Sequence, residues 1–265
     1  MKILGVVNIT EDSFSDGGKY LSADAAIAHA RLLAKDADIL DLGAASSNPD
    51  AKAVAADVEI ARLAPVVAAL KADNRVISID TFLPDVQRWA LEQNVDYLND
   101  IQGFPDKALY PLLSESNARL IVMHSVQERG IATRVDVPPP EILERIKRFF
   151  DNRIVALTQA GIARERIIVD PGMGFFLGSD PETSLTVLRA IPELTRGFGL
   201  PVLISVSRKS FLRKLTGRGP DEAGPASLSA ELFAALQGAD YIRTHDPAAL
   251  RDAWAVWQAA AGNRP

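Results

Sequence analysis

Eight short apolar runs, set apart by stretches with helical periodicity, constrain this chain more than any other feature. They read ILGVV at 3–7, DILDL at 38–42, VISI at 76–79, VDYL at 95–98, RLIVM at 119–123, RIIV at 166–169, PVLISV at 201–206 and DYIR at 240–243. Such runs are too short for core helices and suit strands covered on both faces. Between them, segments such as ADAAIAHARLLAKD and PEILERIKRFFDNRIVALTQAG repeat apolar residues at intervals of three and four, as helices packed on a sheet require. Eight strand–helix units in 265 residues predict an α/β fold, a closed (β/α)8 TIM barrel. A doubly wound open sheet is the alternative. No Ser- or Pro-rich linker divides the chain, so one domain is expected over 1–265. VPPPE at 137–141 reads as the rigid end of a loop, since proline suits the first turn of a helix and not its interior.

Composition narrows the function. A net charge of −5 disfavours nucleic acid or an anionic membrane as partner, because either calls for a basic face. The absence of cysteine excludes disulfides, a thiolate nucleophile and zinc–thiolate sites, and fits a reducing compartment. No run reaches the ~18 apolar residues of a membrane span, and MKILGVVNIT lacks the long apolar core of a signal peptide. The expectation is a cytoplasmic protein acting on small molecules.

In a barrel the loops after the strands converge on one mouth. Read in that light, Asn8 follows strand one, Asp80 strand three, Asn99 strand four, His124 strand five and Asp170 strand six. Ser207, Arg208 and Lys209 follow strand seven, and Arg243 with His245 close strand eight. Singly, each has a structural explanation: an Asx turn or helix cap for Asp and Asn, a satisfied packing residue for His124, a solvated helix start for SRKS. Together, seven of eight strands ending in hydrogen-bonding groups describe a pocket. Asp80, Asn99 and Asp170 can pair with the amino and ring N–H groups of a flat, nitrogen-rich heterocycle. SRKSFLRKLTGR and RTH gather positive charge where barrels commonly hold phosphate. NITEDSFSDGGKY and GAASSNPDA are long polar loops, either mobile surface or lids. Asn8 can offer an oxygen to Mg²⁺, which keeps most of its waters and leans on substrate phosphates.

At these residues the chain resembles the dihydropteroate synthases over essentially its whole length. The carriers are NITEDSFSDGG at 8–18, SIDTF at 78–82, YLNDI at 97–101, VMH at 122–124, DPGMGF at 170–175, SVSRKSF at 205–211 and IRTHD at 242–246. The resemblance implies a barrel that joins 7,8-dihydropterin-6-ylmethyl diphosphate to 4-aminobenzoate, giving dihydropteroate and diphosphate. It implies that Asp80, Asn99, Asp170 and Lys209 bind the pterin, and that Asn8, Arg243 and His245 hold the diphosphate with Mg²⁺ at Asn8. Ser207 would lie near the aminobenzoate carboxylate, and the family implies a homodimer. Asp80, Lys209, Arg243 and His245 are the expected catalytic groups.

Two stretches depart from the usual pattern. Where GGESTRPG is common this chain reads GAASSNPD, with Ser47 and Asn48 in place of threonine and arginine. Where GFGK is common it reads Gly174, Phe175, Phe176, Leu177, Gly178. With NDIQGFPD and SSNPDA, these departures resemble the acquired, sulfonamide-insensitive synthases. Phe175 or Phe176 would then narrow the aminobenzoate site against a bulkier sulfonamide, the alternative being a plug for the barrel top. Other readings are a methyltetrahydrofolate methyltransferase domain, a non-catalytic pterin binder, and an aldolase using Lys209 as a Schiff base. Trp254 and Trp257, on one face of the last helix, either pack on the barrel or join the dimer.

Overall fold

The structure is a computed structural model that describes residues 1–9, 19–45, 53–127, 137–219 and 221–262, with 19–22 by backbone only. The strands are β1 (Lys2–Asn8), β2 (Ile39–Gly43), β3 (Ile77–Asp80), β4 (Tyr97–Asp100), β5 (Arg119–Met123), β6 (Ile167–Asp170), β7 (Leu203–Ile204) and β8 (Tyr241–Thr244). Single helices follow the first five: α1 (Lys19–Leu33), α2 (Ala56–Ala72), α3 (Pro84–Glu92), α4 (Tyr110–Glu115) and α5 (Pro139–Gln159). Two helices follow β6, namely α6 (Pro181–Arg189) and α7 (Ile191–Phe198), and two follow β7, namely α8 (Ser210–Thr216) and α9 (Gly224–Leu236). The last is α10 (Pro247–Ala260).

All neighbouring strands are parallel, in the order β6-β5-β4-β3-β2-β1-β8-β7. A bridge between Val169 and Val202 joins the two ends, so the sheet closes as the expected barrel and the open-sheet alternative falls. The seventh strand is much shorter than PVLISV suggests. Pro201 has no N–H to donate into a ladder, so its carbonyl, accepting from Val169 N at 2.9 Å, carries the contact with β6.

The helices start and face as their sequences direct. Pro139 opens α5 as VPPPE predicts, and Ile142, Ile146, Phe150, Ile154 and Leu157 form its buried stripe. Asp180 and Asp246 cap α6 and α10 by accepting backbone N–H groups from Glu182 and Ala249, each followed by a proline at the first helical position. The main core fills the layer between helices and strands. A second, inner cluster of Leu4, Ile39, Tyr97, Ile121, Ile168, Leu203 and Tyr241 plugs the barrel.

Candidate active site

The inner plug locates the site by simple periodicity. Alternate residues of a strand face the same side, so the residue two steps beyond each plug member also points inward, nearer the carboxyl end. From Ile39, Tyr97, Ile168 and Tyr241 that step leads to Asp41, Asn99, Asp170 and Arg243. The barrel interior thus changes within one layer from hydrocarbon to ions and an amide.

The geometry of that layer is specific. Arg243 donates from Nε to Asp41 Oδ2 at 2.5 Å and from an Nη to Asp80 Oδ2 at 2.8 Å. Asn99 Nδ2 donates to the same Asp41 oxygen at 3.3 Å. Asp41 is fully buried and Arg243 is 15% exposed, so the pair exchanges little of its field with water. Asp41 Oδ1, Asn99 Oδ1 and Ser78 Oγ have no protein partner although buried. Such atoms are costly unless a ligand or solvent satisfies them.

Burial governs the charges here. It pushes the Asp170 carboxyl up to about 6, against the pull of the Gly172 N–H, Lys209 and Arg243. Burial likewise raises Asp80, opposed chiefly by Arg243, and lowers Lys209 to about 8, with Arg243 adding repulsion. The guanidinium of Arg243 is held charged by Asp41 and Asp80 against its own desolvation. Asp80, Asp170, Lys209 and Arg243 therefore feel one another, as members of one site must.

The loop after β7 supplies the other bank. Arg208 has a left-handed φ of 58° and its N–H is held by Ser227 Oγ at 2.9 Å, which turns the chain so that Lys209 meets the layer. Lys209 Nζ lies 4.9 Å from the centroid of the Phe176 ring, within cation–π range. Ser207 Oγ contacts His245 twice, accepting its backbone N–H at 3.2 Å and meeting Nδ1 at 3.0 Å. Burial, then Arg243, Arg208 and Lys209, lower His245 to about 3, so its ring is neutral near pH 7.

Phe175 and Phe176 form an apolar wall beside this polar floor. Phe176 is buried against Ile101 and Met123, while Phe175 and Phe82 are half-buried on the same cluster. The turn before them needs glycine: a Cβ on Gly172, whose φ is +78°, would lie 2.4 Å from the His124 carbonyl oxygen. His124 itself serves structure. Its Nδ1 donates to the Pro171 carbonyl at 3.1 Å, its ring meets Phe149 edge-on, and burial lowers it to about 4.

Asn8 ends β1 with its side chain exposed. Among the described residues no cluster of three His, Asp or Glu could hold a metal. One amide oxygen beside a basic bank fits an Mg²⁺ carried largely by substrate phosphates, and does not fit a permanently caged ion. Ser47, Asn48 and most of the first loop lie outside the described residues. A cavity of about 770 Å³ lies at the opposite end of the barrel, lined by residues such as Lys2, Asp38, Asp96 and Arg119 at or just before the strand starts, with Arg88 of α3; it shares no residue with the polar layer. Asp41 is the member that reading strand ends overlooks, because it sits inside its strand.

A family model described as pterin binding enzyme matches residues 4–245. A type-2 dihydropteroate synthase from Escherichia coli is 62% identical over 255 residues, covering 96% of this chain and 94% of the relative. A type-3 dihydropteroate synthase from the same species is 54% identical over 97% of this chain and 98% of its own. Among solved structures, Xanthomonas albilineans dihydropteroate synthase with 4-aminobenzoic acid superposes with a TM-score of 0.89 at 36% identity, over 98% of this chain and 93% of that one. The Xanthomonas enzyme with 7,8-dihydropteroate gives a TM-score of 0.84 at 35% identity, over the same shares.

Proposed function

We propose a division of labour for the barrel mouth of this chain, which belongs to the pterin-binding enzyme family and is a dihydropteroate synthase. The single observation that carries it is the inward layer of Asp41, Asp80, Asn99, Asp170 and Arg243, bordered by Lys209. Asp80, Asn99 and Asp170 take the amino and ring N–H groups of the pterin, with Lys209 on a ring acceptor. Support comes from the buried acceptors Asn99 Oδ1 and Asp41 Oδ1, which lack protein partners. The Xanthomonas structures hold 4-aminobenzoic acid and 7,8-dihydropteroate, and we assign the same ligands to this mouth.

Diphosphate departs first, in an SN1-like step. Negative charge grows on the leaving group, where Arg243 and His245 donate, and positive charge grows on the pterin methylene, which Asp80 and Asp170 stabilise. Each well-placed donor of this kind is worth about 3 kcal/mol. The amine of 4-aminobenzoate then attacks, and a neutral aniline needs no strong base. Asn8 would be the protein group that holds Mg²⁺, which when bound would supply Lewis-acid neutralisation of the leaving group. Ser207 serves the aminobenzoate end from beneath, its hydroxyl already engaged with His245. The chain works as a cytoplasmic homodimer. Supporting features are the absence of cysteine for the compartment and, for the dimer, Val256 of α10, 70% exposed; Trp254 itself packs on the main core.

Sulfonamide insensitivity is the finer part of the proposal. Of the two aromatics, Phe175 is the wall: it is half-buried, whereas Phe176 is committed to Ile101, Met123 and Lys209. Dihydropteroate formation from the two substrates with Mg²⁺, titrated with sulfamethoxazole, tests this. Turnover that resists the drug in the wild type and yields to it in Phe175→Gly is expected. Equal sensitivity in both would remove the role of Phe175, and no turnover in either would remove the proposed assignments as a whole.

A further inference from the structure

One cation of the mouth has no acid to hold it. Lys209 is half-buried, and among the described residues its Nζ makes no ion pair and no hydrogen bond; the partner it has is the ring of Phe176, 4.9 Å away at the centroid. Asp80 and Asp170 bear on it through charge alone. A lysine without an anchor keeps many rotamers open, and ordering it when a ligand arrives costs affinity. Something other than a salt bridge has to aim this one.

The three-residue turn Gly174–Phe176 touches the lysine at two points. At Gly174 a Cβ would lie 3.3 Å from Lys209 Cβ and 3.4 Å from its Cδ, so the aliphatic stem runs against bare backbone. At Phe176 the ring receives the charged end. Both points are themselves fixed: Gly174 N donates to Ser184 Oγ at 3.0 Å, the Phe176 carbonyl accepts from Val126 N at 2.9 Å, and the Phe176 ring packs on Ile101 and Met123. The negative face of an aromatic ring attracts a cation through its quadrupole. A carboxylate in the same place would hold the ammonium more tightly, but it would occupy N–H groups and offset the charge. Held by a ring, the ammonium keeps donors for a ligand. It is charged at pH 7, because burial lowers it only to about 8.

We propose that Phe176 is a positioning residue for the pterin: its ring holds the Lys209 ammonium by a cation–π contact and leaves the ammonium protons for an acceptor on the heterocycle. The inference rests on Lys209 binding the pterin, as assigned above. It gives the two adjacent aromatics different duties, Phe175 toward aminobenzoate and Phe176 toward the lysine.

Graded fluorination separates the charge distribution of the ring from its shape. Phenylalanine carrying one, two or three ring fluorines in place of Phe176 keeps nearly the same volume while draining the negative face. The probe is 7,8-dihydropterin, the bare heterocycle, titrated calorimetrically into the whole chain at pH 7. Its dissociation constant is expected to rise stepwise, by about fivefold at three fluorines, and by about five- to tenfold in Phe176→Leu. In a Lys209→Met background the same changes at Phe176 should have no effect. Carbon-13 lysine spectroscopy reads the position without ligand. The Lys209 Cε–H signal, assigned by its loss in Lys209→Met, is expected upfield of the other lysines under the ring current, and back among them in Phe176→Leu. If Phe176→Leu does not fold, the fluorinated series decides alone. Affinity that stays flat across that series while Lys209→Met weakens binding, or a Lys209 signal already among the other lysines in the wild type, would overturn the proposal. Unchanged affinity in Lys209→Met would instead take the pterin away from the lysine, and the duty of Phe176 with it.

Discussion

Asp41 is buried completely and carries two contacts on one oxygen, from Arg243 and Asn99. Removing it leaves Arg243 its bond to Asp80 but breaks the more buried half of the pairing, and breaking a buried pair typically costs about 3–5 kcal/mol. Asp41→Ala should lose that much in denaturant unfolding, and Asp41→Ala with Arg243→Met should recover part of it, since a buried pair replaced by apolar groups is often neutral. A double variant no more stable than the single one would mean that the ion pair is not what Asp41 supports. Asp170 gives a pH signature. Its folded value of about 6 lies above the ordinary 3.8 of an aspartate, so its neutral form contributes stability that is complete below 3.8 and lost as pH rises through 6. Linkage puts that loss on the order of 3 kcal/mol, and Asp170→Asn should not show it. Parallel stability curves for wild type and variant between pH 3.5 and 7 would count against a buried, ligand-ready carboxyl. Asp80, Asn99, Asp170 and Arg243 were legible in the sequence because each lies at the end of an apolar run. Asp41 was not, because a lone acid within ILDLG becomes a floor residue only when the sheet closes; its offset of two from Ile39, shared with Asn99, Asp170 and Arg243 in their strands, was the available signal.

At the scale of elements, the segment between β6 and α6 concentrates the constraints. Gly172 approaches the His124 carbonyl, Gly174 follows with a φ of +64°, and the Phe175 and Phe176 carbonyls accept from Gln127 Nε2 and Val126 N. The aromatic wall is thus held by the segment after β5, through the Val126 backbone and the Gln127 side chain, as well as by its own turn. Gly172→Ala should lower stability by about 1–3 kcal/mol through strain alone, and should relax drug discrimination without touching either phenylalanine. Inhibition curves unchanged in a destabilised Gly172→Ala would separate the wall from the turn. The sequence announced the glycines and the aromatics but not this anchorage, which joins residues nearly fifty positions apart. It did announce the start of α5, because a proline at the first helical position acts on its own neighbours. The extent of β7 was misjudged, since apolar character predicts burial and says nothing of how many ladder bonds a proline-led strand can make.

Across the whole molecule the cylinder is unequally sewn. β1 and β2 share five registered pairs, whereas β6 meets β7 through the Val169–Val202 bridge and one bond to Pro201. Local opening follows the lines with fewest buried backbone bonds, so amide hydrogen exchange should be faster at Val169 than at Val7 in the ligand-free protein. Equal protection around the cylinder would show that helix packing, not strand pairing, sets its strength. The same seam has two of the groups proposed for the pterin on its banks, Asp170 at the end of β6 and Lys209 just past β7. A heterocycle held by both would act as a rivet across the thinnest line of the hoop, so that filling the site would also fasten the seam.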